Sequence, residues 1–186
     1  MRLFAAVLPP DEVLDELERA IAPHVGQVPE LRWPDRATWH VTLAFFGEVP
    51  ERALPDLRAR LARAVGRHPV PALAFTGFGA FSSVRRARVF WAGLSGDSMV
   101  RLVDSVRAAA AARAGAANID EKRFHPHLTL ARAKAETDLR PLVDSLAGFT
   151  GSTWRAETIR LFMSEPGPRV RYESLDEWAL APASPG

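Results

Sequence analysis

The five-residue pattern His-x-Thr-Leu-Ala occurs twice in this chain of 186 residues, at positions 40–44 and 127–131. Five histidines and eight threonines give a chance expectation of about 0.2 His-x-Thr pairs, so two copies in one frame are a strong signal. Each copy lies in an apolar run typical of a β-strand, where side chains two positions apart point to the same face. We therefore expect an imidazole and a hydroxyl side by side on each of two strands.

The segments around the two copies repeat one order of elements. In each half a strand, an amphipathic helix, the strand with the histidine, a second helix and a further strand follow one another. A repeat with only two long copies indicates a duplicated lobe rather than a stacked array. A pseudo-twofold pair of lobes would bring His40 and His127 together across a cleft, with Phe4 and Phe90 at matching positions. The segments behind these expectations are 2–8, 11–24, the strand with His40, 54–65 and 73–78, followed by 88–92, 102–110, the strand with His127, 139–146 and 154–162.

The length of the chain suits one compact domain spanning residues 1–186. Its two repeat halves are expected at about 1–84 and 85–180, and the residues 181–186 read as a frayed tail. An apolar run at residues 3–8 ends at two prolines and is too short for a signal peptide or a membrane span. We expect a monomeric, cytoplasmic protein that does not associate with membranes.

The amino-acid composition restricts the kinds of binding and catalysis that the chain can support. The 24 Lys and Arg residues nearly balance 22 Asp and Glu residues, so any affinity for anions must be local. Nearly all of the positive charge is arginine, whose planar guanidinium suits phosphate oxygens, although codon bias would give the same composition. The absence of cysteine excludes disulfides, thiolate catalysis and cysteine-ligated zinc or iron–sulfur sites.

Two pairs of side chains, each with one imidazole and one hydroxyl, could bind a phosphate between them. Imidazole both donates and accepts a proton near neutral pH, and a hydroxyl donates to a phosphoryl oxygen. His125, two residues before His127, would suggest a His-x-His metal site, but no acidic residue is adjacent and Pro126 interrupts the strand pattern. We therefore expect neither a metal nor another cofactor. The alternative is that both motif histidines are half-buried strand residues left by a duplication, without chemistry.

Beyond the two motifs, much of the chain resembles the two-histidine (2H) phosphoesterase superfamily, most closely the RNA 2′,3′-cyclic phosphodiesterases that are also called 2′-5′ RNA ligases. The resemblance implies a bilobal α+β fold, with an antiparallel sheet and helices in each lobe around a central open cleft. The segments that carry it are 2–6, 39–48, 75–81, 88–94, 124–132 and 161–164.

The resemblance also implies the site residues. His40 and His127 would be catalytic, with His127 as the base and His40 as the acid, an order that the sequence alone leaves open. Thr42, Thr129 and Arg132 would contact the phosphate. Arg132 lies five residues after His127 and has the wrong parity for a flat strand, so a bulge, a strand end or a long reach must redirect it. Otherwise Arg132 is a surface arginine.

The expected reaction is hydrolysis of an RNA or nucleoside 2′,3′-cyclic phosphate to a 2′-phosphate, with 2′-5′ RNA ligation as the reverse activity. Its substrates would be RNA ends or nucleotides that bear the cyclic phosphate. One alternative is a related 2H phosphodiesterase acting on another small cyclic phosphate or on a 2′-5′ linkage. The other alternative, from a different class, is a nucleotide- or RNA-binding module without turnover.

Overall fold

The computed structural model describes residues 1–111, 123–167 and 170–182. Residues 183–186 of the predicted tail lie outside the described residues, whereas Ala181 donates its backbone N–H to the His68 carbonyl at 2.8 Å. The β-strands are β1 (Arg2–Val7), β2 (Leu31–Arg32), β3 (Val41–Glu48), β4 (Ala72–Phe81), β5 (Ala87–Gly96), β6 (His127–Thr137), β7 (Trp154–Arg155), β8 (Thr158–Glu165) and β9 (Arg171–Ala179). The α-helices are α1 (Asp11–Ile21), α2 (Leu54–Val65), α3 (Val100–Ala111) and α4 (Arg140–Ser145).

The strands form one sheet in which every pairing between them is antiparallel. Their order is β7-β4-β5-β6-β3-β1-β8-β9, and β2 pairs with β6. The two halves of the sheet meet between β6 and β3, through the single residue pair Val41 and Leu128. The expected α+β fold, with an antiparallel sheet in each half, is confirmed.

Each half of the sheet contains strands from both halves of the sequence. Strand β4 precedes residue 84 but pairs with β5, and β8 follows residue 85 but pairs with β1. Strands β4 and β8, which each follow the second helix of their repeat, are thus exchanged between the repeats. The sequence halves 1–84 and 85–180 are therefore interlocked, and their boundaries stay a prediction.

The helices cover one face of the sheet. The apolar stripe of α1 is buried, as its spacing predicts, and so is that of α2, which ends at Val65 as expected. These stripes join one large core with the strand residues that face them. The opposite face, which we call the open face, carries a small separate cluster of buried residues, Phe4, Ala6 and Phe162, in the part of the chain that the structure describes. No helix in the described part of the chain is long and apolar enough to cross a membrane.

A β-bulge follows the histidine motif in β3. Ala6 of β1 pairs with Thr42, but the next residue, Ala5, pairs with Ala44, which leaves Leu43 as the extra residue. A bulge reverses the alternation of side chains beyond it. Leu43 and Ala44 are accordingly both buried, at 1% and 3% exposure.

The second motif contains the same bulge at the same place. Trp91 of β5 pairs with Thr129 and Phe90 pairs with Ala131, so that Leu130 is the extra residue of β6. Leu130 and Ala131 are both fully buried. The shared Leu-Ala of the two motifs therefore marks a bulge, which explains why the sequence repeats over five residues and not three.

The strand register corrects the alignment of the repeats. Phe4 pairs with Phe45, whereas the matching position in the second half, opposite Arg132, is Val89. Phe90 is therefore not the equivalent of Phe4; its ring is fully buried in the main core, on the other face of the sheet. The similar distances of Phe4 and Phe90 from their histidines suggested the wrong alignment of the two repeats. By register, the segment that joins β5 to the second motif is two residues longer than the segment that joins β1 to the first.

Several strands differ from the sequence-based expectations, among them the two-residue strand β2, which was not predicted. The strand expected at 154–162 is divided into β7 and β8, which lie in different halves of the sheet. Strand β9 was not predicted, because it carries alternating polar residues rather than an apolar run and pairs only with β8. It nevertheless contributes to the site described below.

We predict that Leu128→Ala destabilises the protein by about 2–5 kcal/mol, because it opens a cavity at a fully buried position where the two halves of the sheet meet. The free energy of unfolding from urea denaturation measures the change. The matched control is Leu8→Ala at a position with 38% exposure, which should cost less than about 1 kcal/mol. Equal losses in the two variants would contradict this account of the junction.

Candidate active site

His40 and His127 lie next to the residue pair that joins the two halves of the sheet. Because Val41 and Leu128 are paired in antiparallel strands, the residues that flank them face each other crosswise. His40 is thus placed opposite Thr129, and His127 opposite Thr42. The two histidines are diagonal neighbours, whose Cα atoms are expected about 7–8 Å apart. Since Val41 and Leu128 are fully buried, these four flanking residues project to the open face.

Both imidazole rings are oriented by the same backbone hydrogen bond. His40 Nδ1 lies 2.7 Å from the carbonyl oxygen of Thr38, and His127 Nδ1 lies 2.7 Å from that of His125. A carbonyl only accepts, so each Nδ1 carries the proton and donates it. In each ring Nε2 is the remaining nitrogen for chemistry, and no described residue forms a hydrogen bond with it.

A short turn fixes the carbonyl that orients His40. Residues 36–38 form one 3₁₀ turn, and the Asp35 side chain accepts a hydrogen bond from the backbone N–H of Ala37 at 2.8 Å. The side chain of Arg36 ties this turn to α1 through ion pairs with Asp15 at 2.5 Å and Glu18 at 2.8 Å. The position of His40 thus depends on a charged anchor outside the site.

Aromatic rings hold the segment that orients His127. The His125 ring packs edge-on against Trp91, with ring centroids 4.8 Å apart, and the His127 ring packs edge-on against Phe81 at 5.0 Å. Trp91 lies flat along the sheet because the neighbouring strand has Gly79 there; a Cβ at Gly79 would overlap the indole ring. Gly79 therefore allows the indole ring of Trp91 to approach the backbone of the neighbouring strand closely.

His40 lies among aromatic rings as well. Its ring centroid is 4.9 Å from that of Phe4 and 5.1 Å from that of Tyr172, which meets it edge-on. Phe162 completes this group at 6.4 Å. Tyr172, the single tyrosine of the chain, was missed by the sequence analysis because it lies on the unpredicted strand β9.

The surroundings lower the pKa of both histidines. Burial disfavours the charged imidazolium and is the main cause in each case, opposed by the hydrogen bond from Nδ1 to the backbone. The positive charge of Arg132 lowers the pKa of His40 and of His127 further, and His127 itself lowers that of His40. By register, Arg132 lies three residues beyond Thr129, the residue opposite His40, on the same strand as His127. An anion bound between the two histidines would instead raise the pKa of both.

The bulge at Leu130 resolves the parity problem of Arg132. On a flat strand Arg132 would face the core, but after the bulge it follows two buried residues and is exposed on the open face. The hydroxyls of Thr42 and Thr129 are half-buried, and neither has a hydrogen-bonding partner among the described residues. The structure thus brings together all five residues that the sequence analysis singled out.

Metal ligands are not gathered at this site. In residues 1–111, 123–167 and 170–182, no group of three or more His, Cys, Asp or Glu side chains is arranged to hold a metal ion. The groups that face the open side next to the histidines are two hydroxyls and a guanidinium, which are donors. This donor set fits an anion.

Two curated relatives are similar to this chain over nearly its whole length. The sequence is 34% identical over 189 residues to the RNA 2′,3′-cyclic phosphodiesterase of Thermus thermophilus, covering 97% of this chain and 90% of that protein. It is 33% identical over 185 residues to the RNA 2′,3′-cyclic phosphodiesterase of Escherichia coli, covering 96% of each.

The fold is shared with solved structures. TT0787 of Thermus thermophilus superposes with a TM-score of 0.81 at 30% identity, covering 98% of this chain and 99% of that one. The apo form of E. coli LigT superposes with a TM-score of 0.77 at 27% identity, covering 97% of both. Residues 9–167 match the sequence profile of the 2′-5′ RNA ligase superfamily. The chain therefore belongs to the 2′-5′ RNA ligase superfamily.

Proposed function

We propose that this protein hydrolyses the 2′,3′-cyclic phosphate of RNA ends and nucleotides to a 2′-phosphate by two-histidine acid–base catalysis. The observation that carries the proposal is the placement of two imidazoles, each with Nδ1 held by a backbone carbonyl and Nε2 free, on one face beside Arg132. The names of the relatives in Thermus thermophilus and Escherichia coli support the substrate. Crystal structures of E. coli LigT with phosphate and with 3′-AMP support a site for a phosphate on a nucleotide.

In the proposed mechanism His127 is the base and His40 is the acid. His127 Nε2 takes a proton from water, the water oxygen attacks phosphorus, and the bond from phosphorus to the ribose 3′-oxygen breaks. His40 Nε2 protonates the departing 3′-oxygen, which leaves a 2′-phosphate and a 3′-hydroxyl. Each positioned proton transfer is typically worth about 10²–10⁴-fold in rate.

The donors around the histidines would stabilise the negative charge that develops on the phosphoryl oxygens. The hydroxyls of Thr42 and Thr129 and the guanidinium of Arg132 are placed to donate to the non-bridging oxygens. When the 5′-hydroxyl of a second RNA replaces water, the same displacement forms a 2′-5′ phosphodiester, which would be the ligation activity. Nothing in this scheme needs a second copy of the chain, and the monomeric state and cytoplasmic location stay predictions.

We predict that His40→Ala and His127→Ala each lower kcat for a nucleoside 2′,3′-cyclic phosphate by about 10²–10⁴-fold, because an acid–base pair fails when either member is lost. Turnover is followed by chromatography of the 2′-phosphate product. His24→Ala, at the end of α1 away from the site, is the matched control and should keep wild-type activity. Near wild-type turnover in either active-site variant would refute the assignment.

The same experiment separates the alternatives. Wild-type protein that binds the cyclic nucleotide without converting it would indicate a binding module. Turnover of another small cyclic phosphate or of a 2′-5′ linkage, without turnover of RNA 2′,3′-cyclic ends, would indicate the related 2H activity.

We predict a bell-shaped dependence of kcat/KM on pH with its maximum below about pH 6.5. The active form carries one proton on the pair, and the pKa of each free imidazole is lowered from about 6.5. Activity falls on the acid side when the base is protonated and on the alkaline side when the acid loses its proton. A flat profile from pH 5 to 9, with chemistry rate-limiting, would exclude the scheme.

NMR titration of the histidine rings tests the cause of these shifts. Arg132→Gln removes a nearby positive charge and should raise the pKa of both His40 and His127. Arg19→Gln on α1 is the matched control and should leave both values unchanged. A change in only one imidazole, or in neither, would contradict the placement of Arg132 beside both.

We predict that chelators leave the activity unchanged, because both proton transfers and the charge stabilisation are assigned to side chains of this chain. Turnover is compared in EDTA and in added Mg²⁺, Mn²⁺ or Zn²⁺. Loss of activity in EDTA with recovery on addition of a metal would overturn this part of the proposal.

A further inference from the structure

Arg132 has a second arginine as its direct neighbour. The two-residue strand β2 pairs with β6, and Arg32 is the residue opposite Arg132. Paired residues of antiparallel strands point to the same face, with Cβ atoms about 4.5–5.5 Å apart. Arg32 is therefore exposed on the open face, beside the guanidinium assigned to the phosphate.

This arrangement is electrostatically unfavourable in the free protein. Like charges directly opposite each other on a sheet are destabilising. No carboxylate compensates for them, since neither Arg32 nor Arg132 has an ion pair or a side-chain hydrogen bond with any described residue. By contrast, Arg36, four residues further along the chain, forms ion pairs with three carboxylates of α1.

The backbone holds Arg32 firmly in this place. Leu31 pairs with Ala133 and is buried in the main core at 6% exposure, so the strand cannot turn over. The chain thus presents two unpaired guanidiniums in fixed register, one of them close to both histidines. Guanidiniums bind phosphate oxygens with two parallel hydrogen bonds, which suits a ligand with more than one phosphate.

We propose that Arg32 binds the phosphodiester on the 5′ side of the terminal nucleotide, and that the enzyme thereby prefers RNA ends over isolated nucleoside cyclic phosphates. This inference rests on the proposed function, which places the cyclic phosphate between His40 and His127. The 5′-phosphodiester is the next anion along an RNA strand, and Arg32 is the residue paired with Arg132 across β2 and β6. An isolated nucleoside 2′,3′-cyclic phosphate has no such group.

The test compares two substrates with the same terminal nucleoside. One is a trinucleotide RNA that ends in a 2′,3′-cyclic phosphate, and the other is the nucleoside 2′,3′-cyclic phosphate with a free 5′-hydroxyl. Arg32→Gln should lower kcat/KM for the RNA by about 5- to 20-fold, the range for losing one exposed charge-assisted contact, and that for the nucleoside by less than about twofold. A merely structural role of Arg32 would lower both alike.

Salt dependence gives a second readout. Each phosphate contact on a single strand contributes about 0.7 to the slope of log affinity against log salt concentration. The slope of log kcat/KM for the RNA should therefore become shallower by about 0.7 in Arg32→Gln, and stay unchanged for the nucleoside. The matched control is Arg63→Gln on α2, an exposed arginine on the helical side of the sheet, which should alter neither substrate.

The outcomes separate this inference from the proposed function. Wild-type protein that converts neither substrate overturns both. Wild-type protein that converts both, with Arg32→Gln changing them equally or not at all, overturns the role of Arg32 alone. If the glutamine variant does not fold, Arg32→Lys decides; it keeps the charge without the planar fork and should lower the RNA rate alone by about two- to fivefold.

Discussion

The geometry of the site depends on one contact between strands, the pairing of Val41 with Leu128 at the centre of the sheet. This pair joins the two halves, and both of its side chains are fully buried in the core. Burying these two residues forces their neighbours on both strands to the open face. A shift of either strand by one residue would turn the histidine of that strand into the core, so the packing of the core and the assembly of the site are one constraint.

Each bulge changes which residues of its strand face the open side of the sheet. Without them the residue five positions after each histidine would face the core. With them, Arg132 joins His127 on the open face, and Leu130 and Ala131 both fill the core. A strand segment of six residues can thus present an imidazole, a hydroxyl and a guanidinium to one phosphate. The low polarity around the rings, which lowers the pKa of each histidine, strengthens the attraction of these donors for an anion.

The sequence predicted the parts of the molecule that follow from side-chain periodicity. The stripes of α1 and α2 and the parity of His40 with Thr42 needed only the periods of helix and strand. The need for a bulge before Arg132 followed from the same reasoning, because an odd spacing cannot keep one face. What the sequence did not reveal depends on contacts between distant segments. The exchange of β4 and β8 between the halves, the polar strand β9 with Tyr172, and the two-residue strand with Arg32 have no local pattern.

The two halves differ at the position five residues after each histidine, although they share the same motif. Phe45 follows His40 by five residues, as Arg132 follows His127, and the same bulge turns it to the open face, where it is 48% exposed. Its ring lies 5.8 Å from that of Phe4, beside the aromatic group around His40. At this matched position one half therefore has an aromatic ring and the other a cation, although the histidines and threonines are duplicated. A backbone carbonyl orients both imidazoles in the same way, so in the proposed mechanism the choice of acid and base would follow from the orientation of the substrate, and Phe45 and Arg132 are where the two halves differ.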